Sequence, residues 1–276
     1  MAVTHFIPEI WSSYILERYM AKNVFASLVD RKYEGEARKG NTIHIPGVVA
    51  PAVKDYKAAS RTTSADAISD TGIDILIDQE KNFDFYVDDI DNAQSNENLL
   101  PLYTDAAGDS LATDADQFIA NLLVANATGM PWSSNPTTGD GAFNVVKDAR
   151  KLMNKANVPD DDLRVAVVNA EFEALLVGAD SKLTSFDSSG DTAGLRNATV
   201  GKLLGFRVVT SNNLPESDSP QAVFFHQRAA AFVSQIDEVE GMRAQDKFAD
   251  RIRGLHVYGG KVVKAPGVLV FNRAGS

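Results

Sequence analysis

Asp88, Asp89 and Asp91 close the stretch "KNFDFYVDDID" (Lys81–Asp91), packed around a single Ile90. Carboxylates this close can hold a divalent cation or work as an acid–base pair, so chemistry is sought here first. A calcium loop needs ligands at alternate positions, a glycine at the sixth and a glutamate at the twelfth. Counted from Asp89, Asp91 takes the third position, but Ala93 and Gln94 occupy the fifth and sixth. The spacing reads instead as a strand exit whose carboxylates meet solvent and the positive end of the helix that follows.

The other candidates fare no better. Asp105 and Asp109 lie one helical turn apart, with Asp116 near the same face. Di-metal bundles add a Glu-x-x-His pair, which is absent, so a charged outer helix face is expected. His5, His44, His226 and His256 are scattered, with no HExxH and no four-residue pairing. No G-x-S-x-G elbow occurs. "GLRNATVGKL" (Gly194–Leu203) spaces its glycines too widely for a phosphate loop and has Leu203 where Ser or Thr should meet magnesium. The chain has no cysteine, which removes disulfides, thiolate nucleophiles and Cys-based zinc sites. No catalytic, cofactor-binding or metal-binding residue is assigned, and the chain is expected not to be an enzyme.

The bulk of the chain suits a globular protein. Its 276 residues are 44% hydrophobic and 23% charged, enough for a large core. Net charge is −10, without the clustered basic footprint of a sequence-specific nucleic-acid reader. Lys147, Arg150, Lys151 and Lys155 read as a solvated helix surface with acids nearby. The first residues have no signal-peptide pattern, and no apolar stretch approaches the roughly 20 residues that span a bilayer. A soluble, cytoplasmically made protein without a membrane partner is expected.

Several elements follow from periodicity. Trp11, Tyr14, Ile15, Tyr19 and Leu28 recur at helical steps, predicting amphipathic helix within 8–30. A β pattern begins at "KGNTIHIP" (Lys39–Pro46), continues through "GVVAPAVKDY", and returns at Ile73, Ile75 and Ile77 and at Phe83, Phe85 and Val87. Two extended segments around a polar tip predict a long ribbon, which is marginal in water unless another surface supports it. Tyr103, Ala107, Leu111, Ala115, Phe118 and Leu122 predict one helix from about Asn98 to Asn126, roughly 40 Å long, with Pro101 in its first turn.

Val145, Val146, Ala149, Leu152 and Met153 mark another helix, and "LRVAVV" (Leu163–Val168) a buried strand. Asn169 is placed to cap a helix over "AEFEALLV". "GKLLGFRVVTSNNLP" reads as a helical or turn element followed by strand Phe206–Thr210, and the tail as short strands alternating with turns. Without regular βαβ alternation, the fold class is α+β.

Four stretches in order carry a resemblance. "FIPEIWSSYILERYMAKNVFASLVDRKYEGEARKGNTIHIPG" (Phe6–Gly47) resembles the arm and first ribbon strand of major capsid proteins from tailed double-stranded-DNA bacteriophages. "DTGIDILIDQEKNFDFYVDDIDNAQ" (Asp70–Gln94) resembles the strand returning into that family's spine helix. "GKLLGFRVVTSNNLP" (Gly201–Pro215) is similar to its axial domain, and "GLHVYGGKVVKAPGVLV" (Gly254–Val270) to its closing strands. The resemblance implies an N-terminal arm (1–34), an extended β-ribbon or E-loop (35–78), a peripheral domain (79–160 and 236–262) with a spine helix near 98–126, and an axial domain (161–235 and 263–276).

It further implies a coat subunit that self-assembles into pentamers and hexamers of an icosahedral shell around the double-stranded DNA genome, held non-specifically. Such a virion capsid is assembled in the host bacterial cytoplasm, with a separate scaffolding protein, a portal and decoration proteins as further partners. Trp11, Tyr14, Tyr56, Lys57 and Arg61 are the expected subunit contacts. Some relatives crosslink Lys to Asn; Lys54 and Lys57 lie near the ribbon, but no matching Asn and Glu are found. The alternative within the same fold is an encapsulin-type cellular compartment. A metal-dependent hydrolase on Asp88 and Asp89 is the alternative from another class.

Overall fold

The computed structural model describes residues 23–34, 41–47, 52–58, 61–63, 72–88, 99–131, 135–178, 201–244 and 247–272. Two sheets share one long helix.

The first sheet has six strands and a core on each face. Its strands are β4 (Thr128–Gly129), β5 (Arg164–Val168), β6 (Lys202–Leu203), β7 (Phe206–Thr210), β8 (Ala222–His226) and β11 (Val268–Phe271), in spatial order β4-β11-β8-β5-β7-β6. β5 and β7 pair in parallel, as do β4 and β11, and the other neighbours are antiparallel. The central strands are buried on both faces, which is why they read as unbroken apolar runs. Val165, Val167, Val223, Phe225, Val268 and Val270 point to one core, while Ala166, Val168, Phe224, Leu269 and Phe271 point to the other.

On the second face lie α3 (Gly139–Lys155) and α4 (Ala170–Val177), burying Val145, Val146, Ala149, Met153, Phe172 and Leu176. Thr138 caps α3, and Asn169 caps α4 by accepting from the Phe172 amide at 3.0 Å. The first face receives α1 (Phe25–Leu28) and the long helix α2 (Leu99–Asn126). α2 has Pro101 in its first turn, where the missing N–H has no helical partner to lose.

The buried stripe of α2 is not the expected one. Ala115, Asp116, Ile119, Ala120, Leu123 and Val124 are inside, whereas Phe118 and Leu122 are only partly buried. Tyr103 is exposed, with its ring 6.2 Å from that of Phe85. Asp116, expected on a charged outer face, is completely buried.

The second sheet has three antiparallel strands in the order β3-β10-β9: β3 (Gln79–Asp88), β9 (Ala230–Arg243) and β10 (Ala249–Val262). The tail therefore contains two 14-residue strands where short strands with turns were expected. The distal half of β9, "DEVEGMR", lacks a regular apolar alternation because that part of the sheet is open to solvent. One face of this sheet lies against α2: Tyr258 packs edge-on to Phe118, with centroids 5.3 Å apart, and its hydroxyl donates to Asp114 Oδ2 at 2.6 Å.

The other face carries the base of a two-stranded ribbon, β1 (Thr42–Ile45) paired antiparallel with β2 (Ile73–Leu76). Ile43, Ile75 and Ile77 pack there on Ala231, Val233 and Val257. The support a lone ribbon needs thus comes from the chain's own long sheet. The β pattern expected to continue through "GVVAPAVKDY" does not form a strand in its described part: residues 52–55 are irregular, and 56–58 are a turn.

One further expectation changes. Lys202–Leu203 is neither helix nor simple turn but strand β6, joined to β7 by a two-residue hairpin loop. Leu204 (φ 50°) and Gly205 (φ 82°) are both left-handed, as a type I′ connection requires.

Candidate functional site

The ribbon is the first feature that leaves the body. Across it His44 Nδ1 and Asp74 Oδ1 are 2.6 Å apart, both exposed. Beyond the base, Asp55 organises a turn by accepting from the amides of Lys57 (2.9 Å) and Ala58 (3.2 Å). The Arg61 amide donates to the Tyr56 carbonyl at 2.9 Å, with Arg61 in the left-handed region at φ 60°. This turn presents Val53, Tyr56, Lys57 and Arg61 outward. The described side chains of this tip are apolar and cationic and stand exposed. Trp11 and Tyr14 lie outside the described residues.

The long sheet offers the second surface. Away from the ribbon base, its outer face forms an open cleft of about 390 Å³ lined by Asn82, Asp84, Glu238, Glu240, Arg251 and Arg253. Charges pair across strands: Arg251 Nε donates to both Asp84 oxygens (2.9 and 3.1 Å), and Arg253 Nη2 to Glu240 Oε2 (2.6 Å). The hydrogen bond from Arg251 holds the Asp84 carboxyl below the usual carboxylate range. Towards the β9–β10 turn, Phe248 is 82% exposed, and Tyr86 and Met242 are also open. Lys247 and Arg251 lie over the Tyr86 ring, 5.3 and 5.5 Å from its centroid.

A third feature holds the segment from Asn23 to Asp30 on the body. Asp116 Oδ1 accepts from the amides of Phe25 (2.7 Å) and Ala26 (3.3 Å), and its Oδ2 from Asn213 Nδ2 (2.8 Å). Behind α1, Asp30 bridges to Ala231: its amide donates to the Ala230 carbonyl, and its carbonyl accepts from Phe232, both at 3.0 Å. Sequence spacing carried a signal here, because Asp116 lies three, four and seven residues before Ile119, Ala120 and Leu123, all on the apolar face.

Among the described residues the most engaged acidic run is Asp160–Asp162, for which the sequence analysis gave no role. Each carboxylate meets a different cation or imidazole: Asp160 pairs with Arg150 (3.0 Å) and Arg164 (3.3 Å), Asp161 with His226 (3.0 Å), and Asp162 with Lys202 (2.9 Å). His226 Nδ1 accepts from the Arg228 amide at 3.2 Å, so Nε2 carries the hydrogen donated to Asp161. Arg164 is fully buried and also donates to the carbonyls of Val158 and Pro159 and to Asn154 Oδ1. These contacts fasten the α3–β5 loop, a structural task.

Of the first-sought aspartates, Asp88 ends β3 opposite Ala249, while Asp89 and Asp91 lie outside the described residues. Asp105 and Asp109 are exposed on α2. His44, His226 and His256 stand apart, the last 3.1 Å from Ser234 Oγ. Among the described residues no three His, Cys, Asp or Glu side chains gather as a metal site would require, and no helix is long and apolar enough to cross a membrane. What the geometry assembles among the described residues is a set of surfaces.

Known proteins share this arrangement. A solved structure from Mycobacterium phage Che8 is 59% identical, with a TM-score of 0.92 and 100% of both chains covered. The capsid structure of cyanophage P-SCSP1u is 18% identical, with a TM-score of 0.79 over 100% of this chain and 95% of that one. The mature capsid of bacteriophage PhiM1 is 13% identical, with a TM-score of 0.74 over 98% and 93%. No curated protein matches the chain. The fold is therefore that of tailed-phage capsid shells. A family model described as phage capsid protein matches residues 73–271, and the chain belongs to that family as a shell-forming major capsid protein. The cellular-compartment alternative draws no support from these phage relatives.

Proposed function

We infer that copies of this subunit form pentamers and hexamers that close an icosahedral shell around the double-stranded DNA genome, held without sequence readout. The observation that carries the reading is the ribbon: its base is packed on its own sheet, while its tip exposes Val53, Tyr56, Lys57 and Arg61. The tip and the arm, with Trp11 and Tyr14, join neighbouring copies by burying apolar and cationic groups that one copy leaves open. The division into arm (1–34), ribbon (35–78), peripheral domain (79–160 and 236–262) and axial domain (161–235 and 263–276) goes with this reading. So do assembly in the host cytoplasm and the further partners, namely a separate scaffolding protein, a portal and decoration proteins. The subunit's work is structural and involves no catalysis. Deleting Lys57–Asp66 is expected to leave a folded subunit that no longer forms shells in electron micrographs; normal shells from that deletion would overturn the role of the ribbon.

A further inference from the structure

We propose that Asp116 is the positioning residue of the N-terminal arm: one buried carboxyl fixes where the arm leaves the body and hence what it delivers to the next copy. The inference rests on the arm joining copies, as argued above. Asp116 is 0% exposed, sits on the long helix α2, and receives three hydrogen bonds from two distant segments. Every partner is a donor, so both oxygens act only as acceptors. Burying a carboxyl is costly unless such donors satisfy it, and this position is a poor choice if packing alone were required.

The donors identify the task. Phe25 and Ala26 open α1, whose preceding residue, Val24, has no side chain able to cap it. The free amides of that first turn are satisfied across the fold by Asp116 instead. Asn213 closes the set: its Nδ2 reaches Asp116 Oδ2 at 2.8 Å and Asn23 Oδ1 at 3.3 Å. A loop of the six-stranded lobe, the long helix and the arm root are thus registered by one group. With Asp30 clamped to β9, residues 23–30 are held at both ends.

The donor–acceptor pattern makes the proposal testable by exchange. In Asp116→Asn, one amide nitrogen must face either Asn213 Nδ2 or the Phe25 amide, a donor against a donor. In Asn213→Asp, two carboxyl groups face each other in a buried site. The double variant D116N/N213D swaps the two groups. Its carboxamide on α2 accepts from the α1 amides and donates to the carboxylate now on the facing loop, and Asn23 turns its own amide to suit.

Hydrogen exchange on the unassembled subunit is expected to speed up at least tenfold at Phe25 and Ala26 in each single variant. The double variant should recover most of that protection, with α4 amides as the control for global folding. Shell yield in electron micrographs should fall and recover in parallel. Unchanged exchange in both single variants, or no recovery in the double, overturns the latch. A latch that opens while shell yield stays normal overturns the positioning role. Because exchange is read before assembly, a failure here is distinguishable from failure of the ribbon deletion.

Discussion

Gly259 of β10 lies directly beneath Leu76 at the end of β2. A Cβ added to Gly259 would stand 2.9 Å from the Leu76 carbonyl carbon and 2.7 Å from Ile77 Cα, and would overlap the carbonyl oxygen. The neighbours are backbone, which cannot swing aside as a flexible side chain can. The ribbon base is therefore seated on the sheet by backbone-to-backbone contact, and the missing side chain at residue 259 sets its height and angle.

Gly259→Ala is expected to lift the ribbon base and loosen the small core of Ile43, Ile75, Ile77, Val233 and Val257. The cost should be about 1–3 kcal/mol, the range for overpacking a well-filled site. Urea unfolding followed by circular dichroism reads it. A midpoint equal to that of the unmodified protein would show that the ribbon does not depend on this contact. Shell yield should drop further than stability alone accounts for, because the tip is displaced along with the base.

The elements with a single strong period were legible from sequence. α3 and the strand at Arg164–Val168 each had one dominant apolar pattern, and local capping chemistry at Asn169 marked the start of α4. The period failed where two stripes competed. On α2, Ala115, Phe118 and Leu122 form one plausible row, while Asp116, Ile119 and Leu123 form another that contains an acid. The second row is fully buried, whereas of the first only Ala115 is, because Asp116 has donors from Phe25, Ala26 and Asn213 that lie 90 or more residues away in sequence. Long strands were missed for a related reason. The distal part of β9 pairs on a solvent-facing sheet, so its alternation mixes Glu238 and Glu240 with Val239, and polar residues hide the strand. The hairpin at Leu204–Gly205 was hidden by Leu204, a residue not expected at positive φ.

Arg164 provides a second test. Its guanidinium holds the α3–β5 loop through Pro159 O (2.8 Å), Val158 O (2.6 Å) and Asn154 Oδ1 (2.8 Å). Arg164→Met keeps the aliphatic bulk but leaves those acceptors without their donor. About 3 kcal/mol of stability should be lost, since hydrogen bonds from a charged group are worth roughly 1.5–3 kcal/mol each and water takes over part of the loss at Asn154 and Pro159, which are exposed. Arg164→Lys should recover less than half of this, because a single ammonium cannot reproduce the planar fork. Chemical denaturation of the three proteins side by side decides it, and full recovery in the lysine variant would refute the fork argument.

The Tyr258 hydroxyl yields a pH dependence of known sign. Burial first, and then its hydrogen bond to Asp114, push the phenol well above its ordinary pKa of 10.0. A raised folded-state pKa means that the neutral form is favoured in the native protein. The stabilisation is therefore complete below the unfolded value and is lost as pH rises from about 10 towards the folded value. Tyr258→Phe has no such proton to lose. At neutral pH it should be less stable by about 1 kcal/mol, the typical worth of one hydrogen bond. Between pH 9 and 11 the gap between the two proteins should shrink, with the unmodified chain losing stability faster. Melting curves of both proteins across that range measure the gap directly. A gap that stays constant would mean that the phenol titrates alike in folded and unfolded chains, and one that widens that folding favours the phenolate; either refutes the role given to burial and Asp114.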